Sequence, residues 1–286
     1  MMGKQTNKTG SNFGGIGWTV EKLEIIDKYL DAFTGVFKKQ DWAEKIYIDA
    51  FAGSGKAILQ EGIEIEGSPA IALKYDFAKY YFIEYDKKRI DELKNYIKAN
   101  FPNKVSKVTF IEGDCNAVLP NIFSELSQNK NVRGVMFLDP HALELKWEIL
   151  EKAKSICIDI WYLFPMMSNR LLQKEKKISE EFKQKLNTLF GNEDWEEQLY
   201  HENAQINMFG EVEYIKEPVQ ELVKYVANKL RNLYGCDPRV KLFKNSKGSP
   251  LFLLCFTMTN QREKAKNVGG KIVSDIFAKI DKSKLE

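Results

Sequence analysis

Short apolar runs of strand length alternate along this chain with stretches in which apolar residues recur every three or four positions. Val20, Leu23, Ile26, Leu30 and Phe33 lie at helical spacing between Trp18 and Phe37, with Thr19 as the expected N-cap. Ile46 to Ile48 then reads as a buried strand that enters a glycine turn. After an excursion over 57–66, Ser68 as cap and Pro69 at the first position predict a helix through about Phe77. Strands follow at Tyr80 to Glu84, Val108 to Glu112, Arg133 to Leu138 and Ile156 to Phe164, the last closed by Pro165. Helical spacing fills the gaps at Lys87 to Ala99, around Ile122 to Leu126, and at Trp147 to Lys154.

Strand and helix repeated in this way predict an α/β domain with a mostly parallel sheet and helices on both faces. Ligand residues then belong at the carboxyl ends of the strands. Asn169 to Lys216 breaks the rhythm with a charged, helical stretch, read as an insertion of about 169–216 after the fifth strand. Pro218 to Tyr234 is an amphipathic helix. Val240 to Phe243 and Leu251 to Met258 form a C-terminal strand hairpin across the Asn245-to-Gly248 turn, and a last helix lies within Ala265 to Ile280. Residues 1–17 are polar and glycine-rich and read as a flexible arm, leaving 18–286 as one domain.

Composition changes this picture little. Of 286 residues, 44% are hydrophobic and 29% charged, as in ordinary globular proteins, and a net charge of +3 is too small to argue for a polyanionic partner. Four scattered cysteines (Cys115, Cys157, Cys236, Cys255) and two histidines suggest neither a disulfide framework nor a metal site. No run approaches the roughly 18 apolar residues of a membrane span. The polar N-terminus resembles no secretory signal, so a reducing, cytoplasmic setting is expected.

Candidate chemistry concentrates at strand ends. Asp49, Phe51, Ala52, Gly53 and Gly55 form the first turn, where glycines let the backbone approach a ligand. Gly55-Lys56 hints at a phosphate loop, but Ala50 stands where the first glycine belongs and Ala57 replaces the magnesium-binding hydroxyl. Glu84 ends the second strand, where a carboxylate can accept both ribose hydroxyl protons, with Asp86 as an alternative. Asp114 follows the third strand, suited either to an adenine amino group or to a helix N-cap. Asp139, Pro140 and His141 follow the fourth and are the candidate catalytic group, with His141 able to stack or to act as a base. Asp159, an acid inside an apolar strand, needs a partner, for which Arg170 or a lysine is the expectation.

The Asp49-to-Gly55 string resembles the first motif of S-adenosylmethionine-dependent methyltransferases, and Asp139-Pro140 resembles the start of the [D/N]-P-P-[Y/F/W] motif of enzymes that methylate exocyclic amino groups. Trp18 to Ile26, Tyr47 to Gly55, Gly67 to Leu73, Phe82 to Asp86, Phe137 to Pro140, Asp159 to Pro165 and Leu189 to Trp195 together resemble the three-Cys-motif partner protein family (TcmP). That resemblance implies a doubly wound Rossmann-like methyltransferase sheet with a C-terminal antiparallel strand. It implies S-adenosylmethionine as cofactor and a three-Cys-motif, radical-SAM-like protein as partner. In that family an aromatic residue and a glycine usually follow the Asp-Pro, where this chain has His141 and Ala142. A nucleic-acid methyltransferase and a non-catalytic cofactor-binding or assembly partner are the two functions left open.

Overall fold

The computed structural model describes residues 16–59, 62–173, 178–206 and 212–283. The expected arm 1–17 therefore lies outside the described residues up to position 15. The elements in chain order are α1 (Ile16–Val36), β1 (Glu44–Asp49), β2 (Lys56–Ile58), β3 (Glu64–Glu66), α2 (Ser68–Leu73), β4 (Lys79–Glu84), α3 (Lys87–Asn100), β5 (Val108–Glu112), α4 (Cys115–Ser127), β6 (Val132–Leu138), α5 (Trp147–Lys152) and β7 (Ile158–Pro165). There follow α6 (Glu180–Phe190), α7 (Trp195–Gln198), β8 (Tyr200–Ile206), β9 (Val212–Lys216), α8 (Val219–Tyr234), β10 (Arg239–Lys244), β11 (Pro250–Met258) and α9 (Glu263–Ser283).

A seven-stranded sheet runs in the order β10-β11-β7-β6-β1-β4-β5. The pairs β1–β4, β1–β6, β4–β5 and β6–β7 are parallel, and β11 is antiparallel to both β7 and β10. This is the Rossmann-like methyltransferase order, with the last strand inserted antiparallel beside the fifth parallel strand. The inner strands read as unbroken apolar runs because both faces are covered. On β7, Trp161 packs against Tyr29 of α1 and Phe277 of α9. On the opposite face Phe164 stacks on Phe190 of α6, which meets Tyr225 of α8 edge to face. Among the described residues no helix is long and apolar enough to cross a membrane.

Several elements differ from expectation. Thr19 does not cap α1, which begins at Ile16. Gly67 precedes α2, and Ser68 is its first residue rather than its cap; the helix stops at Leu73 instead of Phe77. The 57–66 excursion folds back as the antiparallel β2–β3 hairpin. The segment after β7 contains α6 and α7 and also an antiparallel β8–β9 hairpin. α4 starts at Cys115, seven residues before the apolar stripe suggested, because Asp114 caps it by accepting the Asn116 N–H.

Candidate functional site

β1 lies between β4 and β6, where the chain order reverses, so the crevice beyond its carboxyl end is the switch point of the sheet. Two backbone bonds hold the turn there. The Ala50 N–H donates to Phe137 O of β6 at 3.1 Å, and the Ala52 N–H donates to Ile83 O of β4 at 2.9 Å.

The two glycines have different jobs. Gly53 has φ +60°, and a Cβ built on it would meet nothing within 4 Å, so it faces open space. Gly55 has φ +85°, and its Cβ would lie 2.8 Å from Leu93 Cδ1. Gly55 therefore serves close packing against α3. Asp49 also points inward. It is fully buried, accepts the Phe51 N–H at 3.2 Å, and lines neither cavity described below. Burial pushes its carboxyl up to about 7, against the pull of Ser68 and the Phe51 N–H. Asp49 braces the turn from beneath.

Glu84 is 5% exposed and locks the turn to β4. Its Oε2 accepts the Gly53 N–H at 2.8 Å and its Oε1 accepts the Asp86 N–H at 3.0 Å. An ionised carboxylate has about four lone-pair sites, so acceptor capacity remains. Asp86 is committed as the N-cap of α3, accepting from the Arg89 N–H. Asp114 both caps α4 and borders a cavity. Asn116 ties the post-β6 loop down, donating to Glu144 O at 2.8 Å and accepting from the Lys146 N–H at 2.9 Å.

Two cavities meet at this end of the sheet. One, of about 420 Å³, is bordered by Phe51, Ala52, Gly53, Asp139, Pro140 and His141, with Trp18 and Lys22 of α1. The other, of about 480 Å³, is bordered by Phe51, Glu84, Tyr85, Asp114, Asn116 and His141. Phe51, Arg89 and His141 belong to both. Arg89 Nη1 lies 3.0 Å from His141 Nε2. A guanidinium only donates, so this contact occupies the Nε2 lone pair that a base would need.

Sequence reasoning missed Lys22. It is 6% exposed, and its Nζ sits 2.5 Å from Asp139 Oδ2, across 117 positions of chain. Its ammonium also faces two aromatic rings, with Nζ 5.3 Å from the Trp18 centroid and 5.8 Å from that of Phe137. A signal existed: Lys22 falls in the stripe of Trp18, Ile25 and Tyr29, the buried face of α1, where a lysine is costly without a partner. Tyr85, 79% exposed beside Glu84, was also missed.

Asp159 is not part of this site. It lies near the start of β7, at the opposite end of the sheet, and accepts from the Tyr29 hydroxyl at 2.6 Å rather than from Arg170 or a lysine. Trp147 and Trp161 are core residues. Among the described residues no group of three His, Cys, Asp or Glu is placed to hold a metal.

No family model matches the chain. No curated protein matches it either. Solved structures do. The methyltransferase domain of bacterial CtHen1 is 14% identical with a TM-score of 0.38, covering 82% of this chain and 99% of its own. Cofactor-bound Rv0187 from MTB is 10% identical with a TM-score of 0.44, covering 87% of this chain and 84% of its own. The putative methyltransferase yhhF from Escherichia coli is 13% identical with a TM-score of 0.30, covering 67% and 87%. Identities and scores this low carry no activity across; the fold assignment rests on strand order and direction.

Proposed function

We propose that this chain is an S-adenosylmethionine-dependent methyltransferase acting on nucleic acid, with a three-Cys-motif, radical-SAM-like protein as its partner. The observation that carries the reading is Glu84 bound to the Gly53 N–H, where two cavities meet at the switch point. The residues fit the cofactor. Gly53 leaves free the space that any side chain would fill. Glu84 keeps lone pairs for two ribose hydroxyls, and Tyr85 offers a ring face to a purine. Asp114 and Asn116 border the far end of the same cavity.

The cofactor supplies an activated methyl group on a sulfonium. The chain's own residues bind it, hold the acceptor in line, and keep water out, so rate comes from proximity and orientation. The nucleic-acid reading is supported by the Asp139-Pro140 string at the end of β6 and by Arg89 beside the first cavity, where Lys22 and Lys56 are already paired with Asp139 and Glu64. The partner rests on the sequence resemblance, and affinity purification of the chain with its neighbours tests it.

A second reading has its own observation. His141 and Ala142 replace the residues expected after Asp-Pro, and Lys22 occupies one oxygen of Asp139, as in a binding protein without turnover. Calorimetric titration with S-adenosylmethionine and S-adenosylhomocysteine, on wild type and Gly53→Trp, is the first test. Binding lost in the variant supports the cofactor site. No binding by the wild type rules out the enzyme reading for this chain alone.

A further inference from the structure

Resting on the methyltransferase reading above, we infer that the acceptor atom is a ribose hydroxyl oxygen of RNA and that Lys22 and Asp139 prepare it. The Asp-Pro string by itself would suggest a base amino group. The surroundings of Asp139 argue otherwise.

An amine that takes up a methyl group gains positive charge at nitrogen. The ammonium of Lys22, held 2.5 Å from Asp139 Oδ2 and bordering the same cavity, opposes that charge. A hydroxyl that loses its proton gains negative charge at oxygen, which the same ammonium favours. Asp139 accepts from one of the three Lys22 N–H groups, so two remain to donate to an oxygen. Asp139 Oδ1 has no partner among the described residues, and its side chain is 26% exposed, so it can receive a proton and pass it to water.

The residues after Pro140 supply no stacking ring of the kind that follows Asp-Pro in base-methylating enzymes: His141 and Ala142 stand there, and the His141 ring is held by Arg89. Trp18 and Phe51 border the same cavity, so it is the Lys22 ammonium beside Asp139 that favours an oxygen acceptor. In the reaction the acceptor O–H bond breaks toward Asp139 and the oxygen forms the new O–CH3 bond. The electron pair of the broken S–CH3 bond stays on sulfur, so a sulfonium and an alkoxide become a thioether and an ether.

The test is incubation of the purified chain with methyl-labelled S-adenosylmethionine and either total cellular RNA or denatured genomic DNA, followed by nucleoside chromatography. The expected result is label in RNA alone, in 2′-O-methyl nucleosides, because only RNA carries that hydroxyl. Label on a base nitrogen in either polymer overturns the proposal. So does no label in RNA from a chain that binds the cofactor by calorimetry; a chain that binds no cofactor instead overturns the reading on which the proposal rests.

Two variants sharpen it. Asp139→Asn keeps a hydrogen-bond acceptor, which an amine acceptor tolerates, but removes the proton acceptor. Transfer to RNA is expected to fall about 10²-fold or more, by analogy with the loss of a general base. Lys22→Met is expected to lose about 10²- to 10³-fold, as for an oxyanion donor, with cofactor affinity unchanged and partial rescue by Lys22→Arg. A binding readout runs beside these. With S-adenosylhomocysteine present, wild type is expected to prefer an oligoribonucleotide over its deoxy counterpart and Lys22→Met to lose that preference; equal preference in both proteins overturns the assignment.

Discussion

Glu84→Gln tests the joint between the glycine turn and β4. In the wild type one carboxylate accepts two backbone N–H groups, from Gly53 at 2.8 Å and Asp86 at 3.0 Å, and the residue is 5% exposed. A glutamine has one oxygen, so either the Gly53 or the Asp86 N–H must face an NH2 group. The change removes one bond to a charged acceptor, worth about 1.5–3 kcal/mol. At about 2–4 °C per kcal/mol for a domain of this size class, the melting temperature falls by about 3–12 °C. The same carboxylate is assigned to the cofactor ribose. Losing one charged acceptor there weakens S-adenosylmethionine by about 10- to 100-fold. Differential scanning fluorimetry reads the first number and calorimetric titration the second. A variant that melts with the wild type refutes the structural half. One that melts lower but binds the cofactor as tightly refutes the ribose assignment alone.

Gly191→Ala probes packing away from the site. Gly191 ends α6 at φ +78°, and its Cβ would stand 2.5 Å from Trp147 Cδ1, so left-handed strain and overpacking together cost about 2–5 kcal/mol; urea melts should show this while cofactor affinity stays unchanged. Asp159 supplies a pH test. Burial pushes its carboxyl up to about 7, partly offset by the Tyr29 hydroxyl, so the folded chain keeps a proton that the unfolded chain releases near pH 4. Its contribution is therefore full below that pH and is lost as pH rises to about 7, by at most about 1.4 kcal/mol per unit, since the residue is half-buried. Asp159→Asn still accepts from Tyr29, so it should flatten the decline between about pH 5 and about pH 7 in urea melts; an unchanged slope overturns the assignment.

The parallel sheet was legible in the chain because strands buried on both faces must be apolar throughout. Ile46 to Ile48 and Tyr80 to Glu84 therefore stand out from the helical stretches beside them. The turn after β1 was legible because its positive backbone angle at Gly53 is a local demand. Glu84 and Asp114 were legible because strand ends on one side of a parallel sheet share a crevice. What the two glycines and Asp49 face was not. Gly53 opens on the cavity, Gly55 packs on Leu93, and Asp49 turns inward, and only neighbours from α3 and α2 decide this.

The β2–β3 and β8–β9 hairpins were missed because such short or partly exposed strands leave little apolar pattern. Lys22 and Asp139 were not read as a pair because 117 positions separate them. Local periodicity and turn chemistry act over a few residues, so the sequence alone determined the strands of the large sheet, most of the helices between them, and which strand ends bear acids. Which of those acids meets a cation, and which meets open space, depends on how α1 crosses the end of β6, a contact that exists only once the chain has folded.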